Sequence, residues 1–129
     1  MKLFLDTADV DSISDSFLTG LIDGVTTNPT LMMKSGKNPE DVYQDLINLG
    51  VPDISMEVVG DSYEMIQEGL RLFKKFGQQA TIKVPCTPDG LIACRELSRN
   101  LIKVNVTLIF SPSQAILSAK AGATYVSPF

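Results

Sequence analysis

The sequence predicts an α/β protein in which parallel strands alternate with helices. Short, nearly continuous apolar runs alternate with segments of helical period, and the runs recur roughly every 20 to 30 residues, as βαβ units require. Runs that lack polar alternation are typical of strands buried on both faces of a parallel sheet. Glycines stand where the helices should end, at Gly50, Gly77 and Gly122.

The apolar runs define six predicted strands. They are Lys2–Asp6, Gly24–Thr27, Ile54–Val59, Ala80–Pro85, Val104–Phe110 and Thr124–Pro128. The segments between them have one apolar face, as the spacing of Val10, Ile13 and Phe17 shows. Asn38-Pro39 predicts an N-cap followed by a first-turn proline, and Ser111-Pro112-Ser113-Gln114 predicts a capping box. We interpret residues 1–129 as a single domain.

Six strands fit either an open doubly wound sheet or most of an eight-stranded barrel. Neither the glycine-rich dinucleotide fingerprint nor the P-loop lysine motif follows any strand. This weakens a nucleotide-binding interpretation. It favours a (β/α)8 TIM barrel that is incomplete in this chain, with six parallel strands.

Composition excludes several classes of function. The net charge of −4 gives no basic surface for nucleic acid or anionic lipid. No run approaches the roughly 18 apolar residues that cross a bilayer. Cys86 and Cys94 are too few for a disulfide framework, so we expect reduced thiols in the cytoplasm. The chain has no histidine, which excludes Ser-His-Asp and Cys-His sites and disfavours a catalytic zinc.

Polar residues interrupt the predicted strands in their central or C-terminal parts. They are Asp6, Thr26, Thr27, Asn28, Glu57, Lys83, Asn105, Thr107 and Ser127. In barrels and open α/β sheets alike, the carboxyl ends of the strands carry the active site. A polar residue in the same relative position on all six strands therefore indicates one functional site.

Lys83 is the most informative of these residues, because a lysine is almost never fully buried unless it is paired. Burial disfavours the ammonium form, so a lysine within an apolar strand provides a neutral amine that can attack a ketone. Two other interpretations stay open. The fourth strand is a sheet edge and Lys83 faces solvent, or Lys83 makes a structural ion pair with Glu57.

Asp6 and Glu57 can supply general acid–base chemistry beside the lysine. The alternatives are structural. Asp6 would cap a first helix that begins at Thr7 or Ala8, and Asn28-Pro29 would begin a helix of its own. Thr107 also suits a strand by propensity alone.

Four segments together match a known family: Met1–Ala8, Gly24–Pro29, Ile82–Pro85 and Ala121–Phe129. They resemble the small bacterial transaldolases and their close relatives, the fructose 6-phosphate aldolases, and the resemblance covers the whole chain. It implies a (β/α)8 barrel and class I aldol chemistry that needs no metal or other cofactor. It also implies a sugar-phosphate substrate, the pentose phosphate pathway, a cytoplasmic location and a homo-oligomer.

The resemblance implies catalytic roles for four residues. Lys83 corresponds to the Schiff-base lysine. Asp6 corresponds to the residue that takes the proton from the C4 hydroxyl as the C3–C4 bond breaks. Glu57 corresponds to the carboxylate that activates the catalytic water, and Thr107 helps to hold that water.

Five further positions are implied to bind substrate. Asn28, Asn105 and Ser127 correspond to partners of the hydroxyls of the bound dihydroxyacetone unit. Thr26 lines the same pocket, and Phe129 stands where transaldolases have Phe and the aldolase has Tyr. On the third strand, transaldolases have Glu where the aldolase has Gln, and this chain has Glu57. Asn105 also follows the transaldolase pattern.

We therefore expect a transaldolase that moves a dihydroxyacetone unit from sedoheptulose 7-phosphate or fructose 6-phosphate to an aldose phosphate. A fructose 6-phosphate aldolase and a non-catalytic fragment are the alternatives. The family's chains continue past Phe129 with a phosphate-binding arginine and strands seven and eight. We expect a piece of a longer protein, a naturally short form, or a barrel completed by another chain.

Overall fold

A computed structural model describes all residues of the chain, Met1–Phe129. The chain folds into two compact units, Met1–Met56 and Glu57–Phe129. We call them the N-terminal unit and the C-terminal unit. The boundary between them lies within the third strand.

The N-terminal unit contains three parallel strands and three helices. They are β1 (Phe4–Asp6), α1 (Val10–Phe17), β2 (Gly24–Thr26), α2 (Pro29–Ser35), α3 (Pro39–Asn48) and β3 (Ile54–Glu57), whose last residue belongs to the C-terminal unit. β2 lies between β1 and β3, with Leu5 opposite Val25 and Val25 opposite Ile54. Ile13, Val25, Leu46 and Ile54 are fully buried, so the core lies between the strands and the helices.

The C-terminal unit continues the same alternation. Its elements are α4 (Ser62–Phe76), β4 (Ala80–Pro85), α5 (Pro88–Arg99), β5 (Lys103–Ile109), α6 (Pro112–Ala121) and β6 (Tyr125–Pro128). β5 pairs in parallel with β4 and with β6. The apolar side chains Ile82, Val84, Val104 and Val106 are fully buried, while the polar residues between them line up on the other face of the strands.

All six predicted strands are present, and β4 has the predicted bounds. The other five differ from the prediction by one or two residues at their ends. Parallel strands that alternate with helices confirm the predicted α/β class: five βα units are followed by a sixth strand, the alternation of a (β/α)8 barrel. The assignment of residues 1–129 to a single domain stays a prediction.

The predicted capping box at Ser111 is only half formed. Ser111 Oγ accepts a hydrogen bond from the Gln114 amide at 3.3 Å, but Gln114 Oε1 accepts from Phe110 N at 2.7 Å. A complete capping box occurs instead at Asp61 and Glu64, where α4 begins. The predicted cap at Asn38 is confirmed, because its side chain accepts from the Glu40 amide.

β5 contains a bulge next to the predicted site residues. Val106 lies opposite Val126, but the next paired residues are Ile109 and Pro128, so β5 has one residue more than β6 over this stretch. Leu108 takes up the extra length with a φ of 60°, a left-handed conformation that is unusual for leucine. None of the helices is long and apolar enough to cross a membrane.

Candidate active site

Lys83 lies in the middle of β4, and its side chain is only 9% exposed. β4 is not an edge strand. It pairs with β5 on one side, and on the other the Lys83 carbonyl accepts a hydrogen bond from Val58 N at 3.0 Å. The interpretation that Lys83 faces solvent from an edge strand is therefore wrong.

Glu57 is the charged partner of Lys83. Its Oε2 lies 3.2 Å from Lys83 Nζ, and the Glu57 side chain is 16% exposed, so most of this ion pair is buried. The structure confirms the ion pair that the sequence allowed. A buried pair costs desolvation energy that its Coulomb attraction only partly offsets, so it is weak evidence for a purely stabilising role. The carboxylate is also placed to exchange protons with a group bound at Nζ.

Asn105 and Ser127 extend this arrangement across the next two strands. Asn105 is the register partner of Lys83 on β5, so their side chains stand next to each other on one face. Ser127 Oγ on β6 donates a hydrogen bond to Asn105 Oδ1 at 2.8 Å. Four polar residues thus come from four successive strands: Glu57 ends β3, Lys83 lies on β4, Asn105 on β5 and Ser127 on β6.

Thr107 lies on β5 two residues beyond Asn105, and it is the register partner of Pro85. Its side chain is buried, and its backbone carbonyl accepts from Cys86 N at 2.8 Å. Because side chains alternate along a strand, Thr107 shares the face of Asn105 and lies nearer the carboxyl end. The sequence predicted both residues on the fifth strand, and the register places them on one face of it.

Phe129 follows β6 and packs against an aromatic residue that the sequence did not single out. Its ring stacks on that of Phe110 with centroids 5.2 Å apart, and the two rings are inclined by 22°. Together with Ile109, Pro112 and Ala115 they line a cavity of about 290 Å³ at the carboxyl ends of β5 and β6. The only sequence signal for Phe110 was its place as the last residue of the apolar run Val104–Phe110.

Asp6 and Thr26 lie opposite each other at the carboxyl ends of β1 and β2 in the N-terminal unit. Thr26 Oγ1 donates a hydrogen bond to Asp6 Oδ1 at 2.8 Å. The first helix begins only at Val10, with Asp9 at its N-cap position. The alternative that Asp6 caps this helix is therefore wrong.

Asn28 does begin a helix, as the structural alternative predicted. Its Oδ1 accepts from Leu31 N at 2.9 Å and so caps α2. The cap uses the carbonyl oxygen of the side chain, whereas a substrate hydroxyl would be bound by the amide NH2 group. Thr27 is fully buried and donates to the Ser55 carbonyl at 2.9 Å, so its hydroxyl joins β2 to β3.

The chain contains no group of three or more histidine, cysteine, aspartate or glutamate residues that could hold a metal ion. The family model described as Transaldolase/Fructose-6-phosphate aldolase matches residues 3–129. The chain belongs to this family. The match confirms the family that the sequence resembles and, with the six parallel strands and the helices between them, the predicted fold class.

Curated relatives named probable transaldolases match the chain over its whole length. They include proteins from Nitrosopumilus maritimus at 52% identity, Anaeromyxobacter sp. at 55% and Thermodesulfovibrio yellowstonii at 50%. The chain covers 58%, 59% and 60% of these relatives, respectively. It thus spans about three fifths of their length.

Solved structures also share the fold. A complete multifunctional pyruvate carboxylase from Rhizobium etli matches 97% of this chain and 15% of its own with a TM-score of 0.59 and 12% identity. The carboxyl transferase domain of the Rhizobium etli enzyme, with pyruvate, matches with the same score and identity. At this identity the similarity concerns the fold alone.

Proposed function

We propose that this transaldolase-family chain carries the Schiff-base part of a transaldolase site. The whole protein would move a dihydroxyacetone unit from a ketose phosphate, such as sedoheptulose 7-phosphate or fructose 6-phosphate, to an aldose phosphate. The observation that carries the proposal is Lys83, buried in the middle of β4 with Glu57 at 3.2 Å. A buried amine beside a carboxylate provides both a nucleophile and a proton acceptor.

The covalent step begins when Nζ of Lys83, as a neutral amine, attacks C2 of the ketose. The Nζ–C2 bond forms, the carbonyl oxygen becomes a hydroxyl, and loss of that hydroxyl as water gives the protonated imine. Glu57 is proposed to accept and return protons in these steps and to activate the water that later hydrolyses the imine. Thr107 is proposed to help hold that water.

The protonated imine then serves as the electron sink for cleavage. Asp6 is proposed to take the proton from the C4 hydroxyl, the C3–C4 bond breaks, and its electrons form the enamine while the first aldehyde leaves. The enamine attacks a second aldehyde, and hydrolysis releases the new ketose from Lys83. Asn28, Asn105 and Ser127 are proposed to bind the hydroxyls of the three-carbon unit. Thr26 and Phe129 are proposed to line the pocket.

A fructose 6-phosphate aldolase is the alternative enzyme. It would release free dihydroxyacetone instead of transferring it to an acceptor aldehyde. Glu57, Asn105 and Phe129 favour transfer, because the resemblance assigns each of these residues to transaldolases. Phe129 also provides no hydroxyl that could protonate the enamine. Comparing product formation with and without an acceptor aldehyde distinguishes the two activities.

Borohydride trapping tests the Schiff base directly. The folded chain is incubated with fructose 6-phosphate or with dihydroxyacetone, reduced, digested and analysed by peptide mass. We expect the adduct on Lys83 and its loss in Lys83→Arg, which keeps the charge beside Glu57 but cannot form the imine. Lys103→Arg is the matched control, since Lys103 begins the neighbouring strand β5, and it should leave the adduct unchanged. A folded chain without an adduct on Lys83 would overturn the proposal.

A further inference from the structure

We infer that Phe110 is a positioning residue that holds the ring of Phe129 in place beside the substrate pocket. The sequence resemblance puts Phe129 at the position where transaldolases and the aldolase differ, and it gives Phe110 no task. The bulge in β5 and the contact between the two rings give Phe110 one. This role deepens the proposed function and rests on it for the place of Phe129 in the pocket.

Side chains alternate between the two faces of β5 up to the bulge. Val106 is fully buried on the apolar face. Asn105 and Thr107 lie on the other face, which is also the face of Lys83 in the sheet register. If the alternation continued unbroken, Phe110 would lie on the apolar face with Val106, away from Lys83.

The bulge reverses this alternation. Val106 is the register partner of Val126, whereas Pro128, the next residue of β6 on the same face, is the partner of Ile109. Ile109 therefore shares the apolar face with Val106, and it is likewise buried. Phe110, the next residue, falls on the opposite face, where Lys83 lies. Bulges commonly re-aim a side chain in this way next to active sites.

Phe129 is the neighbour of Phe110 on this face. Its backbone N–H donates to the Ile109 carbonyl at 2.9 Å, so the backbones of β5 and β6 stay paired up to this point. The backbone N–H of Phe110 donates to Gln114 Oε1 at 2.7 Å, which ties the end of β5 to the first turn of α6. Both rings thus extend from fixed backbone. Their centroids lie 5.2 Å apart with the planes inclined by 22°, within the range of favourable aromatic pairs.

The stack limits the orientations that the Phe129 ring can adopt. A phenylalanine ring turns about single bonds between several staggered rotamers. It has no donor or acceptor through which a hydrogen bond could select one of them, so a packing partner must do so. Stacking on Phe110 favours the rotamer in which the faces of the two rings meet. A substrate then meets a wall that is already ordered, and binding does not have to order it.

A double-mutant cycle tests whether Phe110 acts through Phe129. The concentration of dihydroxyacetone that half-saturates borohydride trapping on Lys83 is measured for Phe110→Ala, Phe129→Ala and the double variant. We expect Phe110→Ala to raise this concentration about fivefold, as the loss of one aromatic pair would. Phe110→Tyr keeps the ring and should keep the wild-type value. The double variant should match Phe129→Ala, because Phe110 has no effect once the Phe129 ring is gone. An unchanged value in Phe110→Ala, or a further loss in the double variant, would overturn the inference.

A second measurement needs no substrate and separates this inference from the proposed function. The six phenylalanines of the chain are labelled, and the ring signals of Phe129 in a ¹³C–¹H spectrum are identified as those that Phe129→Leu removes. A stacked ring moves the proton signals of its neighbour upfield, so we expect Phe110→Leu to move the Phe129 signals downfield. Phe73→Leu, the same change on α4, is the matched control and should leave them in place. Unmoved signals in Phe110→Leu would overturn the inference even if Lys83 forms the adduct. A wild-type chain that forms no adduct but shows the downfield shift in Phe110→Leu would overturn only the proposed function.

Discussion

Lys83 shows how a single charged residue is held inside an apolar strand. Its neighbours Ile82 and Val84 are fully buried, and the burial of their apolar side chains on one face of the sheet stabilises β4. Glu57 compensates the charge on the other side at 3.2 Å. Removing either partner leaves a buried charge without its counterion, which costs more than the pair contributes. Tests of Lys83 therefore need substitutions that keep the charge.

Burial also changes the chemistry of a second residue, Cys94 in α5. Cys94 is fully buried, and this burial raises the pKa of its thiol from 9.0 to about 11. The folded chain therefore keeps the thiol proton between about pH 9 and pH 11, where the unfolded chain loses it. The stabilising contribution is fully present below about pH 9 and is lost as the pH rises to about 11. We expect the free energy of unfolding to fall by up to about 1.4 kcal/mol per pH unit in this window.

Urea unfolding followed by circular dichroism across this pH window checks the prediction. Lysines and tyrosines titrate in the same range, so the informative quantity is the difference in slope between the wild-type chain and Cys94→Ala. The slope should be shallower in Cys94→Ala. Equal slopes for the wild-type chain and Cys94→Ala would contradict the prediction.

The sequence located the polar residues because each one interrupts an apolar strand. It did not predict their partners, since a hydrogen bond such as that of Thr26 with Asp6 depends on the register between strands. Register depends on how the strands pack against the rest of the fold, which the order of residues along one strand does not show. Phe110 was missed for a different reason. An aromatic residue at the end of an apolar run is itself apolar, so it does not stand out from the strand as a polar residue does.

At the scale of elements, apolar runs located the strands well and their ends less well. β3 ends at Glu57 although Val58 and Val59 extend the run, because Asp61 starts the capping box of α4 shortly afterwards. The bulge in β5 was not predictable. Leu108 adopts a φ of 60°, a conformation for which glycine or asparagine would be the usual signal.

Gly90 in the first turn of α5 is required by close packing against the end of β4. A Cβ atom at this position would overlap the carbonyl oxygen of Pro85, which belongs to the backbone and cannot move aside as a flexible side chain can. We expect Gly90→Ala to lower the free energy of unfolding by about 3 kcal/mol. Thermal or urea unfolding measures this loss.

Gly36→Ala is the matched control for Gly90→Ala. Gly36 has a φ of +68°, and a Cβ atom there would have no neighbour within 4 Å. Its substitution should therefore cost only the backbone strain of about 1 kcal/mol. Equal losses in the two variants would show that close packing does not determine the requirement at Gly90.

For the molecule as a whole, one exposed apolar surface of the C-terminal unit lies at β6 and the elements next to it in sequence. This strand pairs with β5 and ends the strand order, and Phe110, Ile116 and Phe129 nearby are each at least two thirds exposed. A strand edge with apolar residues around it tends to pair with another chain. The chain spans about three fifths of the length of the curated relatives that it matches.

We predict that the chain self-associates through the edge of β6. Sedimentation velocity over a range of protein concentrations should show a mass that increases with concentration. Val126→Lys places a charge on this strand and should lower the association constant about tenfold, because lysine on an edge strand opposes pairing. Tyr63→Lys introduces the same charge at an exposed position of α4 and should leave the association unchanged. If both variants weaken association equally, the interaction does not depend on the edge of β6.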